Sequence, residues 1–270
     1  MYPHTDHHTD QPILDVRNLT VRYDGRMALE EVTFHLHIGE RVAVIGPNGA
    51  GKSTLFKVVA GVLAPTSGTV TISGSRPAAH VCIGYVPQRS HVDWNFPVSV
   101  ADVVMMGRSA VMGAFRWPTR RDWDHVHSAL ATVEMSDLAK RQIGELSGGQ
   151  QQRMFIARAL AQKAELMLMD EPLTGLDLPA QEGILALLDK LQKQNVTVMV
   201  ATHDLDQAEK YFDRVMLLNR TLLAFGRSQD VLKPEHLMQA YGNRLRMVDA
   251  NGNLITLDDA CCGEEGHQHD

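Results

Sequence analysis

The sequence predicts an α/β protein built on a mixed, largely parallel sheet, and three stretches carry that expectation. A short β-branched run, Arg41–Ile45, enters a glycine-rich loop that opens into the helical run Leu55–Ala60. Two further continuous apolar runs, Leu166–Met169 and Val196–Ala201, have the length and composition of strands buried on both faces. Each ends in polar residues, Asp170-Glu171 and Thr202-His203-Asp204, and in open α/β sheets ligands gather beyond the carboxyl ends of the strands.

Residues 1–12 are polar and carry His4, His7 and His8, a composition expected of a frayed tail. The runs Ile13–Tyr23 and Ala28–Leu36 flank Asp24-Gly25, a hairpin signal, and predict an N-terminal antiparallel β subdomain. Tyr23 closes the first run, from where its ring could stack on a base, although a tyrosine at a strand end is more often packing. Gly46-Pro47-Asn48-Gly49-Ala50-Gly51-Lys52-Ser53-Thr54 then matches every fixed position of a phosphate-binding loop, between the strand and the helix that such a loop requires. The glycines free the backbone N–H groups to converge on phosphate oxygens, Lys52 supplies a point charge for the β- and γ-phosphates, and the Ser53 hydroxyl is placed to ligate Mg²⁺. The expected core is therefore a P-loop NTPase fold.

Short strands follow at Thr69–Ile72 and Val81–Val86, the latter ending in Pro87-Gln88. Cys82, within that strand, is most simply a small buried hydrophobe. Residues 89–145 change character, within an expected helical insertion at about 89–160. Helical spacing appears in Val100–Met106 and Asp122–Met135, and aromatic and basic residues cluster between Phe115 and Trp123, which predicts a helical subdomain inserted in the core. Its exposed Trp and Arg suit either a protein interface or a cap on the subdomain's own core. Leu146-Ser147-Gly148-Gly149-Gln150 opens the periodic helix Gln151–Gln162 as a second anion cradle. One lysine loop and two cradles suggest that the second serves the nucleotide of another copy of the chain.

At the end of Leu166–Met169, one carboxylate of Asp170-Glu171 can hold hydrated Mg²⁺ while its neighbour, pointing the other way, polarises a water. Thr174-Gly175-Leu176-Asp177 is a turn before a helix from Pro179 to about Lys193. Asp204 can cap a helix, and His203 can donate to the γ-phosphate. Two strands in 213–225 turn at Asn219-Arg220, and 228 to about 241 reads as one helix. The C-terminal end gathers Cys261, Cys262, His267 and His269, candidate ligands for a transition metal in a segment whose polarity also fits a flexible tail.

The 270 residues, 44% apolar and 21% charged, suffice to bury roughly three-quarters of the unfolded surface without disulfide or metal staples. The expected division is a tail at 1–12, a domain at 13–245 and a second tail at 246–270. A net charge of −6 gives no basic footprint and argues against nucleic acid as partner. No apolar run reaches the ~18–20 residues that cross a bilayer, and the polar start lacks a signal-peptide pattern, so the chain is expected in the cytoplasm. Three cysteines, two of them adjacent, fit a reducing compartment.

Gly46–Thr54, Gln88, Leu146–Gln150, Leu166–Glu171, Leu176-Asp177 and His203, in this order, resemble the motif set of the ATP-binding-cassette (ABC) ATPases over residues 13 to about 240. The resemblance implies an ATPase acting as a head-to-tail homodimer, with each ATP held between one copy's Lys52 loop and the other's Leu146–Gln150. It further implies that Tyr23 stacks on adenine, Asp170 organises Mg²⁺ and Glu171 is the general base. His203 would contact the γ-phosphate, Gln88 would touch the metal and the lytic water, and Asp177 would act across the dimer. A single cassette without spanning helices looks like a transporter subunit peripheral to the membrane, docked on separate permease subunits at the cytoplasmic face. Val92–Arg108 and Phe115–Trp123 resemble the ATPase subunits of manganese, zinc and iron importers, which work indirectly with an extracytoplasmic metal-binding protein. An importer of another cargo, or a soluble ATP-switched regulator, is the alternative. Thr174-Gly175 departs from the commoner Ser-Ala and leaves Asp177 intact.

Overall fold

A computed structural model describes residues 12–23, 25–74, 83–112 and 116–242. A three-stranded antiparallel sheet, ordered β2-β1-β4, consists of β1 (Leu14–Tyr23), β2 (Arg26–Leu36) and β4 (Ser67–Ile72). A six-stranded sheet has the order β5-β6-β7-β3-β8-β9, with β3 (Arg41–Ile45), β5 (Ile83–Val86), β6 (Leu166–Asp170), β7 (Thr197–Ala201), β8 (Arg214–Asn219) and β9 (Thr221–Gly226). Its pairings are parallel except β8 with β9, which Arg220 joins in a left-handed turn at φ 60°.

The side-chain alternation of β3 shows why the molecule is layered. Val42 and Val44 pack with Leu55 and Phe56 of α1 (Lys52–Val59) and with Val16, Leu29 and Phe34 of the antiparallel sheet. Ala43 and Ile45 point the other way, into a core with Met154 and Ile156 of α4 (Gly148–Ala161) and Ile184 and Leu188 of α5 (Leu178–Gln192). A strand buried on both faces has no room for polar alternation, and β6 and β7 read the same way, fully buried from end to end.

The helical region holds α2 (Val100–Met112), α3 (Arg120–Thr132) and the start of α4. Arg108 of α2 is buried against Asp122 of α3, donating through Nε at 3.2 Å and Nη2 at 3.1 Å, and reaches the Ala161 carbonyl at the end of α4. Asp122 also closes a capping box with Thr119. This pair ties three helices together.

Residues 228–241 form two helices, α7 (Ser228–Val231) and α8 (Pro234–Tyr241), where the sequence pattern suggested one. Pro234 has no N–H to continue the turn and holds Lys233 in extended backbone at ψ 146°. The remaining helix, α6 (Leu205–Tyr211), is capped by Asp204 as its sequence suggests, with the Gln207 amide donating to the carboxylate at 2.9 Å. Residues 1–11 and 243–270, with His4, His7, His8, Cys261, Cys262, His267 and His269, lie outside the described residues, as do Asp24, Cys82 and Phe115. Among the described residues no helix is long and apolar enough to cross a membrane.

Candidate functional site

Parallel strands in register bring their carboxyl ends to one edge of the sheet, and that edge is where the candidate residues meet. Asp170, the last residue of β6, lies opposite Ala201 of β7, whose other neighbour is Val44 of β3. The Glu171 amide donates to the Ala201 carbonyl at 3.0 Å and the Thr202 amide to that of Val44 at 3.1 Å. Gly46, Glu171 and His203 therefore leave three adjacent strands side by side, and β5 delivers Gln88 beside β6.

The phosphate loop wraps tightly. Gly46 sits at φ 154° against β8, where a Cβ would lie 2.0 Å from the Leu218 carbonyl oxygen, so the loop backbone reaches this position only without a side chain. Lys52 is buried and its Nζ donates to the carbonyls of Gly46 at 2.5 Å and Pro47 at 3.3 Å, which aims the ammonium across the loop mouth. Ser53, next along α1, is exposed. Tyr23, 41% exposed, lines a shallow cavity of about 540 Å³ with Arg26, Met27 and Ala28. The Ala28 carbonyl lies against Gly51, so this cavity opens beside the phosphate loop, at the distance of a neighbouring residue.

Asp170 is buried at the strand end, and Glu171 leaves the strand in left-handed backbone at φ 48°. The sequence reading had strand alternation turn Glu171 away from Asp170; the structure does it with a turn in the backbone, a conformation costly for a non-glycine residue and typical of functional sites. Gln88 Nε2 donates to Glu171 Oε2 at 3.2 Å, leaving the amide oxygen as an acceptor. Thr174 Oγ1 reaches the same carboxylate oxygen at 3.4 Å.

The second cradle is partly satisfied from within. Ser147 Oγ accepts from the Gln150 amide and Gln150 Oε1 accepts from the Ser147 amide, a capping box that leaves the first helical amides, those of Gly148 and Gly149, without an intrahelical carbonyl. Gly148 packs closely under side chains that could shift: a Cβ there would meet the Arg89 guanidinium at 2.6 Å and Leu176 at 2.9 Å. Leu146 is buried beneath the cradle. Asp177 caps α5, accepting from the Ala180 amide at 3.1 Å, so its carboxylate already has a structural role within the chain.

Sequence reasoning missed two contacts here. The Tyr85 hydroxyl is hydrogen-bonded to the Asp170 carboxylate, and burial, followed by the charge of Asp170, pushes that hydroxyl up to about 12. Tyr85 pairs with Leu168 and so shares the face of Asp170, a fact set by register that no single-chain pattern reveals. Arg89 Nε donates to Gln151 Oε1 of α4 at 3.0 Å, so consecutive residues 88 and 89 touch Glu171 and α4.

A phosphate loop beside an acidic strand end with an amide-held carboxylate, on a largely parallel sheet, is the arrangement of an ATP-hydrolysing nucleotide-binding domain. The ABC transporter family profile matches residues 29–174, and the chain belongs to that family. It is 44% identical over 236 residues to the manganese transport system ATP-binding protein MntB of Bacillus subtilis, covering 87% of this chain and 94% of the relative. Over 250 residues it is 43% identical to the zinc transport system ATP-binding protein TroB of Treponema pallidum, covering 92% and 94%. It also superposes, with a TM-score of 0.69 and 27% identity over 80% of this chain and 98% of the other, on the ATP-binding cassette MJ0796, solved as a dimer in a post-hydrolysis state with ADP and phosphate bound.

Proposed function

We propose that the chain is the ATPase subunit of an importer for a divalent metal ion, manganese, zinc or iron, working as a homodimer on the cytoplasmic face of the cell membrane. The observation that carries the enzymatic part is the Gln88–Glu171 hydrogen bond at the sheet edge that also holds the Lys52 loop, His203 and Asp170. The names of the manganese and zinc relatives support the choice of cargo. Its partners would be permease subunits, with an extracytoplasmic metal-binding protein acting through them.

In this reading the loop amides of Pro47, Asn48, Gly49, Ala50 and Gly51 and the Lys52 ammonium neutralise the phosphates, Thr54 completes the helix start, and Tyr23 stacks on adenine. The Ser53 hydroxyl, the Asp170 carboxylate and the free amide oxygen of Gln88 are hard oxygen donors, the class that suits Mg²⁺. Held by those three groups, Mg²⁺ would supply positive charge against the phosphates. Glu171 takes the proton of the attacking water, Gln88 holds that carboxylate in place, and His203 donates to the γ-phosphate. Leu146–Gln150 and Asp177 act on the nucleotide of the facing copy. Closure follows because the phosphate charge is fully met only when both cradles reach it, and hydrolysis removes that gain.

The test is Glu171→Gln in the full chain. It should retain ATP binding, lower phosphate release about 100-fold or more, and accumulate an ATP-bound dimer on size exclusion. Turnover equal to the parent protein would remove Glu171 from the role of base.

A further inference from the structure

The outer face of the antiparallel sheet carries a pair of histidines that nucleotide chemistry does not use. His35 and His37 flank the fully buried Leu36, so the strand period places both imidazoles on the same exposed face. Their ring centroids lie 5.3 Å apart with planes at 81°. Two imidazoles bound to one tetrahedral ion at metal–nitrogen distances of 2.0–2.1 Å need centroids roughly 5.2 Å apart, so the pair already stands at chelating separation.

The backbone beneath the pair is fixed at both ends. Leu36 pairs with Leu14 and His35 with Asp15 of β1. The His37 amide donates to Glu40 Oε2 at 2.9 Å, and its carbonyl accepts from the Glu40 amide at 3.3 Å and from Thr197 Oγ1 at 3.4 Å. Asp15, opposite His35, and Glu40, which accepts from the His37 amide, are each engaged with an arginine, Asp15 with Arg17 at 2.7 Å and Glu40 with Arg214 at 3.2 Å. Among the described residues no three His, Cys, Asp or Glu side chains gather closely enough to hold a metal.

We propose that His35 and His37 form a bidentate site for an imidazole-preferring divalent transition ion of the zinc, copper or nickel class, with water completing its shell. Two imidazoles and no unpaired carboxylate disfavour Mn²⁺, which prefers oxygen ligands. The site is distinct from the nucleotide pocket and does not depend on what the transporter carries.

The test is carbethoxylation of the full-length protein by diethylpyrocarbonate with and without Zn²⁺, read peptide by peptide by mass spectrometry, so that the histidines near the two chain ends are scored separately. Zn²⁺ at micromolar concentration should slow labelling of His35 and His37 together by about ten-fold or more, the gain that a second tethered ligand supplies, while equal Mn²⁺ leaves it unchanged. In His37→Ala the protection of His35 should disappear. Unchanged labelling of the pair under Zn²⁺, protection by Mn²⁺ as strong as by Zn²⁺, or protection of His35 that survives His37→Ala, would each overturn the assignment. The first two readings come from the parent protein and need no variant to fold.

Discussion

Tyr85 shows how one side chain links the core to the acidic strand end. Its hydroxyl rests on Asp170, and burial, before the carboxylate's charge, favours the neutral phenol up to about pH 12. Because the folded-state value is raised above the usual 10, the stability this contributes is present below pH 10 and fades as the pH climbs toward 12. In denaturant melts at pH 7 and pH 11, Tyr85→Phe should lose less stability over that interval than the parent protein. An equal loss in both would place the alkaline sensitivity elsewhere. At this scale the sequence told much about which groups are candidates and little about what holds them. Lys52, Asp170 and Glu171 were legible from a motif and an apolar run, but the left-handed turn at Glu171 and the Tyr85 contact depend on strand register, which spans residues far apart in the chain.

Among the elements, α3 depends most on a buried charge. The Thr119 hydroxyl, then its amide and the Arg108 guanidinium, offset the burial of Asp122 and hold its carboxyl below the ordinary carboxylate range. A depressed value means the stabilisation is present above about pH 4 and is lost as the pH falls through the folded-state value. Asp122→Asn, which leaves Arg108 buried beside a neutral amide, should cost about 3 kcal/mol and blunt the acid sensitivity of the transition, measured by thermal unfolding at pH 7 and pH 3.5. An unchanged melting temperature at pH 7 would show that the pair is dispensable. The sequence marked 115–123 as aromatic and basic but left open whether it formed interface or core. The structure divides the roles: Trp117 is 91% exposed, while Asp122, read only as part of a helix, is a buried keystone. Pro234, likewise, was legible as a residue, yet the helical composition around it hid the break it makes between α7 and α8.

For the molecule as a whole, the candidate nucleotide-site residues lie along one sheet edge, and the helical region presents apolar side chains that its own core leaves uncovered. Phe96 is 57% exposed, Met106 49% and Trp123 37%. Since Trp117 touches none of the proposed catalytic groups, Trp117→Ala should leave ATP hydrolysis by the isolated subunit unchanged. If that region meets the permease, the same variant should reduce co-purification from membranes several-fold, scored by quantitative mass spectrometry; undiminished recovery would exclude Trp117 from the contact. The α/β class and the order of its chemical groups were readable because buried strands and glycine loops leave local signatures. The strand order was not, because parallel partners are joined by long crossovers.

β3, the strand that feeds the phosphate loop, is flanked by β7 and β8. The Gly39 amide just before it bonds to Thr197, 158 residues downstream, and the Arg41 amide bonds to Asp213, 172 residues downstream. During synthesis, then, the ribosome must release most of the polypeptide before that strand finds either neighbour. Nascent chains stalled short of residue 197 should lack the nucleotide pocket, however early its lysine was made.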